Sequence, residues 1–441
     1  MPLLKPSSER FTRSVWKSSI VVLTIGLVAG IAIFRQPVIG AGQNFDPETL
    51  SDPIAILQGQ IDRGEVALNF SSSQGYLEAV LNALDIPLSS QTLVFSKTSF
   101  QAPRISPENP RALYFNDDVY VGWVNGGPVV EIAAVHPKFG TMFYTLDQNE
   151  TAKPQFERET IRCISCHLPA RSRIPIPRLL VMSILPSRTG DAVGPYVLTT
   201  TDRSPLRERW GGWYMTGTHG DQLHRGNMLV GGSPEANAAA MGRSRRANVT
   251  DLGDRFDTKA YLTVHSDIIA LSLLAHQSEV HNLIGEASQA VRIAVRRESV
   301  TAEDRDHSRQ TISIVTEMME PLIRAMLLSG SAPLNATIAG SSEFATEFVT
   351  RGPFDSRGRS LRDLDLDGKI LRYPLSYLIY SNAFDGMPQV AKDYAYRRLR
   401  EILSGKDAAP EWKHISDSDR TTVMEILNDT KPDFATRDAM R

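Results

Sequence analysis

The chain holds two cysteines in all, three positions apart, and a histidine follows the second: Arg162-Cys163-Ile164-Ser165-Cys166-His167. No other feature of the 441 residues restricts the chemistry so tightly. Two thiols at this spacing reach the two vinyl groups of a haem, and an imidazole on the next residue can turn beneath the iron. The C-x-x-C-H order therefore predicts one covalently attached haem c, with thioether bonds at Cys163 and Cys166 and His167 as the proximal iron ligand. Random placement of two cysteines and nine histidines gives this arrangement in roughly one chain in ten thousand.

Other uses of the pair fit less well. A thioredoxin-like dithiol also uses C-x-x-C, at a helix start after a strand, but has no need of the trailing histidine. A disulfide across two residues is strained. A Cys₄ zinc site is excluded, because both cysteines are already used. The run after His167, Leu-Pro-Ala-Arg-Ser-Arg-Ile-Pro-Ile-Pro-Arg-Leu-Leu, carries Pro169, Pro175 and Pro177, which prevent a long helix and favour an extended segment that covers a haem edge or forms a surface loop. Arg162, Arg171, Arg173, Arg178 and Arg188 cluster here. They suit haem propionates, an acidic redox partner, or plain solvated surface.

The N-terminus reads as an export signal or membrane anchor over 1–42. Lys5, Arg10, Arg13 and Lys17 flank an apolar run from Ser18 to Phe34, and Gly40-Ala41-Gly42 offers a cleavage site. That run, residues 18–34, spans about 26 Å as a helix, at the lower edge of what crosses a bilayer, so a tether is as open as cleavage. Either reading places the protein in the periplasm or on the outer face of the cytoplasmic membrane, which is where haem c is attached. A net charge of −2 gives no basic field for nucleic acid.

Residues 44–150 read as a helical stretch over 44–88, with Ser73 as a cap and Tyr76, Val80, Leu81 and Leu84 as an apolar stripe, followed by a β-rich block over 91–146. Its short apolar runs QTLVFS, ALYF, DVYVGWV, VVEIAAV and MFYTL are separated by Pro, Asn-Asp and Gly-Gly. Residues 151–300 form the expected haem-binding, cytochrome c-like region. Within it 181–258 is loop-rich, and the segment from Glu208 to Asn227 interleaves Trp210, Trp213, Tyr214, His219 and His224 with glycine. Glycine would let the backbone approach a flat macrocycle and tryptophan would pack on it, or the segment is a turn with core tryptophans. A helix over 259–298 would put His265 and His276 on one face, about 20° apart. Residues 301–441 read as helical, with helices near 311–329, 389–404 and 416–428, Gly405 as a stop and Ser416 with Asp419 as a capping box. Asp363-Leu-Asp-Leu-Asp-Gly368 resembles the start of an EF-hand loop, but Pro374 stands where the bidentate carboxylate belongs, so it reads as a turn. The expected fold class is α+β: a mainly helical cytochrome c-like haem region, a β-rich N-terminal block and a helical C-terminal part.

A six-coordinate electron carrier needs a second axial ligand, methionine or histidine. The candidates are His219, His224, Met228 and His276, with Met215, Met241 and His281 behind them.

Three further stretches carry a resemblance. They are Ser89 to Trp123, including SSQTLVFSKTS and PRALYFNDDVYVGW; Arg209-Trp-Gly-Gly-Trp-Tyr214 through His224-Arg-Gly-Asn227; and Leu371-Arg-Tyr-Pro-Leu-Ser-Tyr-Leu-Ile-Tyr380. With the C-x-x-C-H they resemble a family of large bacterial cytochrome c domain-containing proteins. The resemblance implies haem binding and electron transfer, and carries over only Cys163, Cys166 and His167. It implies neither a substrate nor a redox partner. An exported mono-haem electron carrier is thus the first expectation. A haem redox enzyme with an open distal iron site, peroxidase- or dehydrogenase-like, is the alternative, because the chain is far larger than a haem shuttle requires. A binding or assembly protein is the third.

Overall fold

Six strands run antiparallel in strict chain order: β1 (Thr92–Val94), β2 (Arg111–Phe115), β3 (Val119–Val124), β4 (Val129–His136), β5 (Gly140–Asp147) and β6 (Phe156–Arg158). The computed structural model describes residues 52–168, 174–231, 237, 242, 247–299 and 307–435, which lie within one unit spanning Val38–Arg441. The export segment read over 1–42 lies outside the described residues.

All eight residues of β4 are buried, because both faces of the sheet are covered. Alternate side chains enter two different cores, as the two-residue period of a strand requires. Val119, Val121, Ile132, Ala134, Met142 and Tyr144 meet the helices α1 (Pro53–Asp62) and α2 (Leu77–Ala83). Tyr120, Ala133, Val135 and Phe143 face the other core, built on α4 (Ile268–Ser299), which follows the one-turn helix α3 (Ile164–His167) in the chain. The close approach of α4 to the β4–β5 turn depends on Gly285, where a Cβ would stand 2.9 Å from Ile176 Cδ1 and 3.5 Å from the Cα of Gly140.

The C-terminal part is helical: α5 (Arg309–Met326), α6 (Phe344–Thr350), α7 (Asn382–Asp385), α8 (Gln389–Leu403), α9 (Asp417–Thr430) and α10 (Pro432–Ala435). Three of these match the expected helices closely. Gly405 takes φ +75° after α8, and the Ser416 hydroxyl accepts the Asp419 amide at 3.0 Å at the start of α9. Asp363–Gly368 forms a turn, closed by the amides of Asp365 and Leu366 on the carbonyls of Ile370 and Lys369.

Four expectations are corrected. The stretch before the sheet is two helices separated by a turn, and Ser73 bonds Ser71 and Gln74 within that turn while Tyr76 occupies the N-cap of α2. The helix expected from 259 begins at Ile268, because Asp267 accepts the amides of Ile269 and Ala270 at 2.7 and 3.2 Å and so caps it. His265 therefore precedes the helix and shares no face with His276. The region 151–300 is not mainly helical before α4: it carries β6, α3 and a separate hairpin of β7 (Met182–Pro186) and β8 (Ala192–Thr199), and no cytochrome c fold is shown.

Candidate functional site

Strand β6 pairs with β5, and the chain turns from it directly into α3. The amides of Cys166 and His167 bond the carbonyl of Cys163, and Leu168 bonds Ile164, closing a single helical turn. Positions i, i+3 and i+4 share one helix face, so this turn presents Cys163, Cys166 and His167 together. Both cysteines are free thiols; Cys163 is half-buried and Cys166 exposed.

The His167 ring is held from behind. Its Nδ1 lies 2.6 Å from the carbonyl oxygen of Arg178, which can only accept, so Nδ1 carries the proton. Nε2 then holds a lone pair, and no other group of the chain bonds it among the described residues. Metal-binding histidines characteristically donate their second nitrogen in this way, which fixes tautomer and ring orientation. Burial lowers the His167 pKa and keeps the imidazole neutral, and its ring packs on Phe143 with centroids 4.5 Å apart. The Arg178 carbonyl is itself fixed. The Arg178 amide returns a bond to the His167 carbonyl at 2.8 Å, and Asn282 of α4 clamps Leu179 at both its amide and its carbonyl, each at 2.8 Å. Arg178 pairs with Glu286, and Arg162 with Glu159. Arg171 and Arg173 lie outside the described residues.

The three motif residues line a cavity of about 130 Å³ between the sheet and α4. Arg111 and Glu131 form an ion pair on its wall, and Glu131 also accepts from Ser99 at 2.6 Å and Gln101 at 2.8 Å. The guanidinium lies across Gly122, where a Cβ would stand 2.3 Å from Nη2. Tyr120, Trp213, Leu274 and Ser278 complete the wall. Sequence reasoning missed Arg111, Glu131 and Tyr120; the available signal was a glycine in the interior of a strand, which marks a close approach by another group.

The thiol and imidazole set fits a covalently held haem. The cavity is smaller than the roughly 300–1,000 Å³ of ordinary cofactor pockets, so seating a porphyrin there requires lining side chains to move. A reactive dithiol fits less well, since burial pushes the Cys163 thiol up to about 12, whereas such pairs depend on a lowered thiol pKa.

Among the described residues, none of the expected sixth ligands lines this cavity. His219 and His224 are buried and meet each other, Nε2 to Nε2 at 3.2 Å. Met215 and Met228 are buried away from the cavity wall, and Met241 lies outside the described residues. His276 is bound by Asp202 and Ser376 on another face of α4. His281 stands one hydrogen bond behind the wall, its Nδ1 2.9 Å from the Tyr120 hydroxyl. Among the described residues, His167 is the only imidazole that lines the cavity, and no methionine lines it.

The glycines of Trp210-Gly211-Gly212-Trp213 also serve a different purpose from the one expected. The Gly212 carbonyl accepts the amides of Phe95 and Ser96, and the Gly211 carbonyl accepts that of Ile184. A Cβ on Gly211 would stand 1.9 Å from the Ile184 oxygen. The glycines thus let this loop stitch the end of β1 to β7. Trp213 lines the motif cavity, with Nε1 donating to the Met182 carbonyl at 2.7 Å, while Trp210 packs on His224.

Comparison with protein-family models, with curated proteins and with solved structures gives no match.

Proposed function

We propose that this chain carries one haem c, attached through Cys163 and Cys166 with His167 as iron ligand, and transfers electrons outside the cytoplasm. The observation that carries the reading is the His167 ring: Nδ1 donates to the Arg178 carbonyl and leaves Nε2 without a partner among the described residues, on the same helical turn as two free thiols. When bound, the haem supplies one-electron redox chemistry. The chain orients the imidazole through Arg178, Leu179 and Asn282, and Phe143 and Trp213 limit water on that side. The resemblance to large bacterial cytochrome c domain-containing proteins supports the same reading. The export segment at 18–34 supports the location. Among the described residues no helix is long and apolar enough to cross a membrane.

A second reading follows from the cavity lining, which among the described residues offers no methionine and no histidine besides His167. On this reading the protein would be a haem redox enzyme, peroxidase- or dehydrogenase-like, in which His167 would hold the iron, its other site would be open to a small ligand, and Arg111 and Tyr120 of the cavity wall would be the polar groups at hand.

Expression in a host competent for cytochrome c maturation tests both. Protein with one covalent haem by mass, lost in Cys163→Ser/Cys166→Ser, supports attachment; protein with no added mass and no Soret band overturns it. A low-spin spectrum unmoved by cyanide or azide then favours the carrier, and a high-spin spectrum shifted by either favours the enzyme.

A further inference from the structure

Helix α4 has a second cavity on its far side. Ser272, Leu273 and His276 line it, whereas Leu274 and Ser278 face the motif cavity, and at about 100° per residue the two sets point in nearly opposite directions. Its volume of about 580 Å³ falls within the range of small-molecule sites.

The charges around it do not balance. Asp202 is engaged by His276, Oδ2 to Nδ1 at 2.5 Å, and Glu411 by Arg324 at 2.7 Å. Arg209 and Lys369 also line the cavity, and among the described residues no carboxylate makes an ion pair with either. Arg209 is only 5% exposed. Its Nε and Nη2 donate to the carbonyls of Ser204 and Asp202, each at 2.7 Å, and its Nη1 meets no acceptor among the described residues. Burial lowers the Arg209 pKa, and the charges of Asp202 and Glu279 offset that only in part. The apolar part of the wall is aliphatic, with Leu273, Leu334, Ile370, Leu371 and several prolines and no Phe, Tyr or Trp, and Ser272, Ser329, Ser331 and His414 stand among them.

The geometry points to a binding site for a medium-chain aliphatic carboxylate, its anionic end met by Arg209 Nη1 and Lys369 and its chain by the leucine and isoleucine wall. The site lies on the opposite face of α4 from the motif cavity. Asp202, His276 and Ser376 have the spacing of a serine hydrolase relay, with His276 Nε2 2.7 Å from Ser376 Oγ. Ser376 is fully buried, accepts the Leu378 amide at 3.3 Å and does not line the cavity, so this relay holds the wall and attacks nothing bound there.

Calorimetric titration of the full chain as purified, with sodium octanoate, tests the assignment. One saturable site is expected, at least about tenfold weaker for octanol, which lacks the charge, and for acetate, which lacks the chain. Lys369→Met should weaken octanoate several-fold. Leu334→Trp, which fills the cavity and leaves Arg209 in place, should abolish binding while circular dichroism stays unchanged. The proposal fails if octanoate does not bind, if octanol binds as tightly, or if a folded Leu334→Trp protein binds octanoate as before.

Discussion

The carbonyl oxygen of Arg178 sits 2.6 Å from Nδ1 of His167, eleven residues earlier in the chain, and the Arg178 amide answers with a bond to the His167 carbonyl. Imidazole and proline-flanked segment therefore hold one another in place, and Asn282 fixes the pair to α4. Replacing Asn282 with leucine strips two backbone groups of Leu179 of their partners, at about 1–3 kcal/mol each. Urea unfolding should show that loss. In haem-loaded protein the covalent haem content should stay constant while the axial-ligand signature in the visible spectrum changes.

Asp52 does two jobs with two oxygens. Oδ1 caps α1 by accepting the amides of Ile54 and Ala55, and Oδ2 accepts the buried Tyr144 hydroxyl at 2.7 Å. Asp52→Ala should cost about 2–4 kcal/mol, the sum of a lost cap and an orphaned hydroxyl. Tyr144→Phe, which spares the cap, should cost less than half as much by the same denaturation assay.

Gly211 and Gly126 separate steric from conformational need. Gly126 has φ +70° with open space around it, so alanine there should cost about 1–2 kcal/mol in thermal or urea unfolding. At Gly211 alanine meets a backbone oxygen that cannot move without breaking the link from β7 to the loop. That variant should lose about 4 kcal/mol or more, or fail to fold.

Two buried histidines of α4 give opposite pH dependences. Burial depresses His281 to about 4 from an ordinary 6.5, so the unfolded chain binds the extra proton first, and stability falls as pH drops from 6.5 toward 4. His281→Gln should flatten that limb of the melting-temperature profile. Burial also opposes charge on His276 and Asp202, but their mutual attraction wins, raising the histidine and lowering the aspartate. The His276 contribution is complete below 6.5 and is lost as pH rises through its elevated value; that of Asp202 is complete above 3.8 and is lost as pH falls through its depressed value. His276→Gln should therefore differ most from the parent protein between about pH 4 and 6.5.

Local signals were legible in the sequence. The β-rich block reads correctly because each strand alternates into two apolar cores, and α8 and α9 because their stops and caps, Gly405 and Ser416 with Asp419, are neighbours in the chain. The C-x-x-C-H turn is legible for the same reason. What escaped is long-range. Leu262 carries helical spacing, yet it packs beside Tyr261 and Trp123 in the sheet's other core, and the true start of α4 is set by Asp267. His276 meets Asp202, 74 residues away, and His281 meets Tyr120, 161 residues away, so neither partner could be found from spacing. The Arg111–Glu131 pair stands on two strands with β3 between them, and only the folded sheet brings it beneath the motif.

Nearly two turns of α4, from Ser272 to Ser278, are a party wall with a chamber on either side. A rigid rod cannot yield to one tenant without disturbing the other. An occupant that nudges the helix toward the thiols alters how well the thiol side is filled, and reciprocity demands that filling the thiol side alter the first affinity by the same factor.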